Sequence, residues 1–386
     1  MKHSYFFAIM WLLLLGSQCA YGQNSALLPP PFAPMPGNTL PERQRYNTLF
    51  GELVAENEPL SWISAGGEIA LNEHRAPSPS MLNPRYVFSA ELRQHFVLVS
   101  SPYLRRFQLS VDPTLNMRMR KDLYSWPVKS PSYHIGGWGS VSLRQQIRLR
   151  PYNAIFTKAT GRVTVPKVSE DIRFSYGQLG FFHYSNGQDG PTMNGNATNE
   201  STGNFSTNWI HLAYVAGHRN DFHFQSLTTT LMVGPRPWAE PELLNRYNLT
   251  RISLKYTFQH FRDYRYVAEE QLKKDSSSRA TSENERQQYV EIARRNKQRF
   301  QVDATASYGL SSLSRLDASS QGFGKRLNVE LTGVWTPVFA YQAGFFVTVG
   351  YYGEDPYNIM FLHQYPFARV GIATGNLRNL WTSTSK

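Results

Sequence analysis

Asn208-Trp209-Ile210-His211-Leu212-Ala213-Tyr214-Val215 is the stretch on which the fold turns. Successive side chains of a β-strand point to opposite faces, so Asn208, Ile210, Leu212 and Tyr214 share one face. Trp209, His211 and Ala213 share the other. The apolar face begins with an asparagine and has no helical period. Segments of the same period-two character recur along the chain at Tyr86–Val99, Phe107–Met119, Val141–Leu149, Ile172–Ser185 and Phe222–Val233. They continue at Leu249–Phe261, Phe300–Leu310, Leu327–Trp335, Phe339–Tyr351 and Phe367–Ala373. Each is close to the ten or so residues that a tilted strand needs to cross a bilayer. The links between them alternate between long and short, as loops and tight turns do on the two sides of a membrane barrel. The pattern predicts an all-β chain, an antiparallel transmembrane β-barrel.

The rest of the composition agrees. Mean hydropathy is −0.43, yet a barrel alternates lipid-facing and interior residues, so its hydropathy averages out. Aromatic residues make up 14% of the chain, with 22 Tyr and 23 Phe, which suits aromatic girdles at the membrane boundaries. The net charge of +12 suits anionic lipid headgroups or a plain solvated basic surface, and no nucleic-acid partner is expected. Lys2 and His3 precede an apolar run from Tyr5 to Leu15, and Ala20-Tyr21-Gly22 offers small residues for cleavage before Gln23. Residues 1–22 are therefore expected to be a secretory signal peptide, with an uncleaved anchor as the alternative. Cys19, the chain's one cysteine, would leave with it, and Gln18 before it argues against lipidation. Residues 23–80 are expected to form a leader and extension, whose Pro/Asn/Gly-rich part at 23–45 has no core of its own. The barrel is expected over 81–376, followed by a tail at 377–386. Within it, the charged stretch 263–298 is unexpectedly long for a periplasmic link. Its Ser282-Glu283-Asn284-Glu285 is a capping-box pattern, so either an appended helix or a disordered linker fits.

One cluster carries chemistry. In His183-Tyr184-Ser185-Asn186-Gly187, residues 183 and 185 point to the same face, where an imidazole can take the serine proton. Asn208, at the start of the next strand, can accept the second imidazole N–H and fix its tautomer. His183 shares its face with Leu179 and Phe181, which places it on the lipid side. The apolar residues before that, Ile172, Phe174 and Tyr176, have the opposite phase, which predicts a bulge near 177–180. No Gly-x-Ser-x-Gly elbow and no His-Glu-x-x-His pair occurs. Glu354 and Asp355 near His363 form a rival acidic cluster, better read as loop chemistry.

At this point the chain resembles the outer-membrane phospholipase A family. Phe182–Gly187 matches that family's His-x-Ser-Asn-Gly, and Ser206-Thr207-Asn208 its Ser-x-Asn. Arg236-Pro237-Trp238 resembles its Lys-Pro-Trp, and Tyr247–Tyr256 the strand beyond. Gly350–Glu354 with Tyr357-Asn358, then Arg369–Ile372, resembles its closing segments, and Ser125–Lys129 with Tyr133 an upstream one.

The resemblance implies a barrel of about 12 strands in the bacterial outer membrane, with its active site on the lipid-facing wall. It makes Ser185 the nucleophile, His183 the base and then acid, and Asn208 the orienting group. The backbone N–H of Gly187 is then the oxyanion donor, aided by calcium (Ca2+). The family's calcium ligands fall on the carbonyl of Gln188, on Asn204 where the family has a serine, and on the region of Ser125 in a partner subunit. Ser201, Thr202 or Asp189 are possible substitutes. The implied substrates are membrane phospholipids, and the implied active form is a homodimer. The alternatives are a lipid A deacylase, which would need an acidic third member, and a non-catalytic barrel used as a channel or for attachment.

Overall fold

The computed structural model describes residues 40–65, 69–70, 86–100, 107–120, 128–158, 161–185, 205–220, 222–239, 243–245, 247–262, 298–314, 322–337, 343–354 and 364–374. The chain divides into the units Met1–Glu42 and Arg43–Lys386, and the second is described below. The expected signal peptide, the 263–298 insertion up to the strand that begins at Gln298, and the C-terminal tail lie outside the described residues.

Six short segments make three staves, each broken once. These are β1 (Ser61–Ala65) with β2 (Ile69–Ala70), β3 (Tyr86–Arg93) with β4 (Phe96–Ser100), and β5 (Phe107–Val111) with β6 (Thr114–Arg120). Nine further strands follow: β7 (Val128–Lys158), β8 (Gly161–Ser185), β9 (Ser206–Arg219), β10 (His223–Val233), β11 (Thr250–Arg262), β12 (Gln298–Gly309), β13 (Leu327–Thr336), β14 (Ala343–Tyr352) and β15 (Tyr365–Thr374). Neighbours pair antiparallel, and β1 pairs with β15, Trp62 opposite Ala373. The sheet therefore closes as a twelve-stave antiparallel barrel, which leaves no unpaired edge along the closed part of the wall.

The two faces have opposite character. Outward-pointing Leu212, Leu227, Leu254, Val347, Val370 and Ile372 are exposed, while inward-pointing Trp209, Ala213, Val215 and Phe224 are buried. A continuous belt of exposed leucine and valine is unfavourable in water and stable against acyl chains. No helix among the described residues is long and apolar enough to cross a membrane.

The lumen is filled. Helix α1 (Leu40–Asn57) sets Leu49, Phe50, Leu53 and Val54 against Ile172, Phe174, Tyr176, Val215, Phe224 and Phe261 of the inner wall. The spacing i, i+1, i+4, i+5 puts those four on one helix face, and burying each stabilises by about 1.5–3 kcal/mol. The carbonyls at the helix end have no partner within the helix. Here the wall supplies them: Gln259 donates to Glu56 O (2.9 Å) and Lys255 Nζ to Asn57 O (2.8 Å). The Asn57 side chain donates to Thr228 (3.2 Å) and accepts from Ser226 (2.6 Å). Arg219 pairs with Glu52 and Glu56. Part of the expected leader is thus a plug, and the expected barrel start at residue 81 falls after the first stave.

Two further expectations change. No register shift interrupts β8 against β9, and the bulge lies instead on β7, between Ser142 and Arg144. Ile172, Phe174 and Tyr176 are apolar because they face the plug, which accounts for the inverted phase without a bulge near 177–180. Val141–Leu149 is the middle of a much longer strand. Glu354 is structural: Asn248 donates to its Oε1 from N–H (3.1 Å) and Nδ2 (2.7 Å), and Arg251 is its ion-pair partner. Asp355 and His363 lie outside the described residues.

Candidate functional site

The unbroken β8–β9 register sets His183 directly opposite Asn208, and β7 sets Ile135 on the other side of His183. A hydrogen bond of 3.0 Å joins His183 Nδ1 to Asn208 Oδ1. Asn208 Nδ2 donates in turn to the Trp238 carbonyl (3.4 Å). An amide with its N–H₂ engaged by a carbonyl must present its oxygen to the imidazole, so Nδ1 carries the proton and Nε2 keeps its lone pair. Trp238 ends a 3-10 turn, Arg236–Trp238, with Pro237 inside it. A bridge between Thr207 and Ala239 fastens that turn to β9.

Ser185 lies two residues beyond His183 on the same face, half-buried, with Ser206 as its cross-strand partner. Among the described residues no hydrogen bond joins Ser185 to His183. The surroundings are apolar, since Ile135 is 50% and Leu212 57% exposed on the same outer wall. A polar row therefore stands within a lipid-facing surface, and each of its groups needs a partner there more than it would in water.

Behind the row the wall is a packed slab. Phe182, Tyr184, Phe205, Trp209, Leu243, Tyr247 and Leu249 form one buried cluster. His134 stacks on Phe182 with centroids 4.7 Å apart, and Tyr184 meets Phe205 edge-on at 4.7 Å. Side chains at 182 and 184 alternate with 183 and 185, so the rings that fill the inner face hold the outer pair in place. Gly136 permits the close approach of β7: a Cβ there would lie 2.1 Å from the Phe181 carbonyl oxygen.

Of the residues singled out from sequence, His183 and Asn208 are in contact and Ser185 shares their face. Gly187, Gln188, Asn204 and Ser125 lie outside the described residues. The Trp238 carbonyl was missed as a partner of Asn208. Its signal was the Arg-Pro-Trp turn, but a backbone acceptor has no residue type by which to recognise it.

No protein-family model matches the chain, and no curated protein matches it. Solved structures do. The outer membrane phospholipase A from Escherichia coli aligns over 86% of this chain and 99% of its own, at 12% identity and a TM-score of 0.45. An outer membrane phospholipase dimer from Salmonella typhi with bound calcium aligns over the same shares, at 11% identity and a TM-score of 0.44. The barrel itself is read from the chain's own strand pairing.

Proposed function

We propose that this protein is an outer-membrane phospholipase that cleaves acyl esters with Ser185, His183 and Asn208 on its lipid-facing wall. The observation that carries the reading is the cross-strand hydrogen bond from His183 Nδ1 to Asn208 Oδ1, on the outer face and in phase with Ser185.

With Nδ1–H held by Asn208, Nε2 takes the Ser185 proton as Oγ attacks the ester carbonyl. The imidazolium then gives that proton to the departing lysophospholipid oxygen, leaving an acyl-serine. A water deprotonated by the same Nε2 releases the fatty acid and restores the serine. Asn208 stays neutral throughout. It stabilises the imidazolium less than a carboxylate would, and costs less to hold at a lipid surface. The Gly187 N–H is the proposed donor to the oxyanion. Calcium belongs to the proposal through the family resemblance, with Gln188, Asn204 and a partner's Ser125 region as its ligands. When bound it would place positive charge beside the developing oxyanion. A homodimer is the expected active form.

The filled lumen favours this reading over a channel, and a neutral Asn208 favours it over a lipid A deacylase with an acidic third member. The test is fatty-acid release from phosphatidylethanolamine by detergent-purified protein, with calcium or with a chelator. Release that depends on calcium and is lost in Ser185→Ala supports the proposal. Equal release by wild type and Ser185→Ala places the nucleophile elsewhere.

A further inference from the structure

A second cluster of chemically active side chains lies inside the barrel. The link from α1 to β1 carries Glu58, the break between β3 and β4 carries His95, and the break between β5 and β6 carries Asp112. The two wall breaks are side by side: Gln94 N–H donates to Pro113 O (3.1 Å), and Asp112 N–H to Gly136 O on β7 (2.8 Å). There His95 and Asp112 join Glu58 in lining a lumenal cavity of about 220 Å³. His95 Nδ1 lies 2.5 Å from Asp112 Oδ1 and 3.9 Å from Glu58 Oε1, with side-chain exposures of 3%, 12% and 20% for His95, Asp112 and Glu58. One ligand atom from each residue fits within a 4.8 Å span.

We propose that Glu58, His95 and Asp112 bind a divalent transition-metal ion of the zinc type inside the barrel, tying the plug helix to the wall. One imidazole and two carboxylates suit such an ion better than calcium, which takes six to eight oxygens. Ligands about 2.0–2.1 Å from a tetrahedral ion lie roughly 3.3 Å from each other. The present separations bracket that value, so shifts of about 1 Å complete the site. The supporting contacts fit as well. Gln108, buried, stands 3.1 Å from His95 Nε2, and its amide, turned over, would accept Nε2–H once Nδ1 holds the ion. Ser110 donates to Asp112 Oδ2 (3.2 Å). The cavity leaves room for a water as fourth ligand. The cations that line it have partners of their own: Lys255 donates to Asn57 O, and Arg93 pairs with Glu91 at 2.5 Å.

The site is lumenal and independent of ester hydrolysis, so its test does not use hydrolysis. Tag-free, full-length protein in detergent is stripped with a chelator, dialysed and titrated with Co2+ while its visible absorption is followed; Zn2+ and Ca2+ are then added as competitors. The expected result is one equivalent of Co2+ displaced by Zn2+ and not by Ca2+. Affinity should fall about 10- to 100-fold or more in His95→Gln and in Glu58→Gln, with far-ultraviolet circular dichroism showing that both variants are folded. Absence of Co2+ binding by the wild type overturns the proposal. So does binding that survives both substitutions, as it would if the cross-strand pair His223 and His260, whose rings are 4.9 Å apart, held the ion. Loss in His95→Gln alone removes Glu58 from the site and equally contradicts the assignment.

Discussion

His183 and Asn208 face each other across the β8–β9 ladder, with the imidazole Nδ1 3.0 Å from the amide oxygen. In the proposed mechanism, that one hydrogen bond decides which imidazole nitrogen is free to act as the base. Asn208→Ala removes that control and leaves the ring free to rotate and to change tautomer. Its kcat should fall by about 10² or more, with KM little changed because Asn208 is not assigned a substrate contact. Asn208→Asp keeps the acceptor and should retain more activity than the alanine variant. Initial rates on dispersed phospholipid measure both.

The strand behind the site depends on a missing side chain. Gly136→Ala would set a Cβ 2.1 Å from the Phe181 carbonyl oxygen, whereas Gly139→Ala would meet nothing nearer than 3.7 Å. The first substitution should force β7 away from β8, and lower both stability and hydrolysis. The second should leave both near wild type. Urea titrations of refolded protein, read by Trp fluorescence beside activity, distinguish the two.

The plug is held by its apolar face. Leu53 is 1% exposed among aromatic wall residues, so Leu53→Ala should cost about 2–5 kcal/mol. Glu52 is largely exposed and its ion pair with Arg219 lies at the surface, so Glu52→Ala should cost no more than about 1 kcal/mol. Equilibrium unfolding in urea gives both values.

The closing seam holds a buried charge. Arg369, 2% exposed, pairs with Glu330 at 3.0 Å, donates to the Tyr352 hydroxyl at 2.9 Å and lies over the Trp62 ring. Arg369→Ala removes the cation, while Glu330, about a third exposed, still accepts from the Tyr352 and Thr332 hydroxyls, so the substitution should cost about 1–3 kcal/mol. Adding Glu330→Gln to it should recover part of that loss, because the two positions are coupled. A double-mutant cycle measures the recovery.

Most of the wall was legible because each stave alternates against two different solvents, acyl chains outside and a filled lumen inside. The pair His183 and Ser185 and the phase of Asn208 were legible for the same reason, since strand parity alone places them on one face. Parity misled where both faces are apolar. Ile172, Phe174 and Tyr176 suggested a bulge because nothing in β8 announces the helix they pack against. That helix has four apolar residues on one face within a polar, Pro-bearing leader, a pattern that becomes a helix only through the wall that covers it. The first strand, Ser61–Ala65, is five residues long and takes its identity from its partners β3 and β15. Glu58, His95 and Asp112 come from three separate elements, and only closure of the barrel brings them together.

Labelling with a lipid-like fluorophosphonate tests the serine assignment most directly, with the modified residue located by peptide mass spectrometry. Covalent addition at Ser185 in the wild type, slowed about 10²-fold or more in His183→Ala and absent in Ser185→Ala, is the expected result. Labelling at another residue, or none at Ser185 in folded protein with calcium present, would contradict a Ser185–His183–Asn208 esterase on the barrel wall.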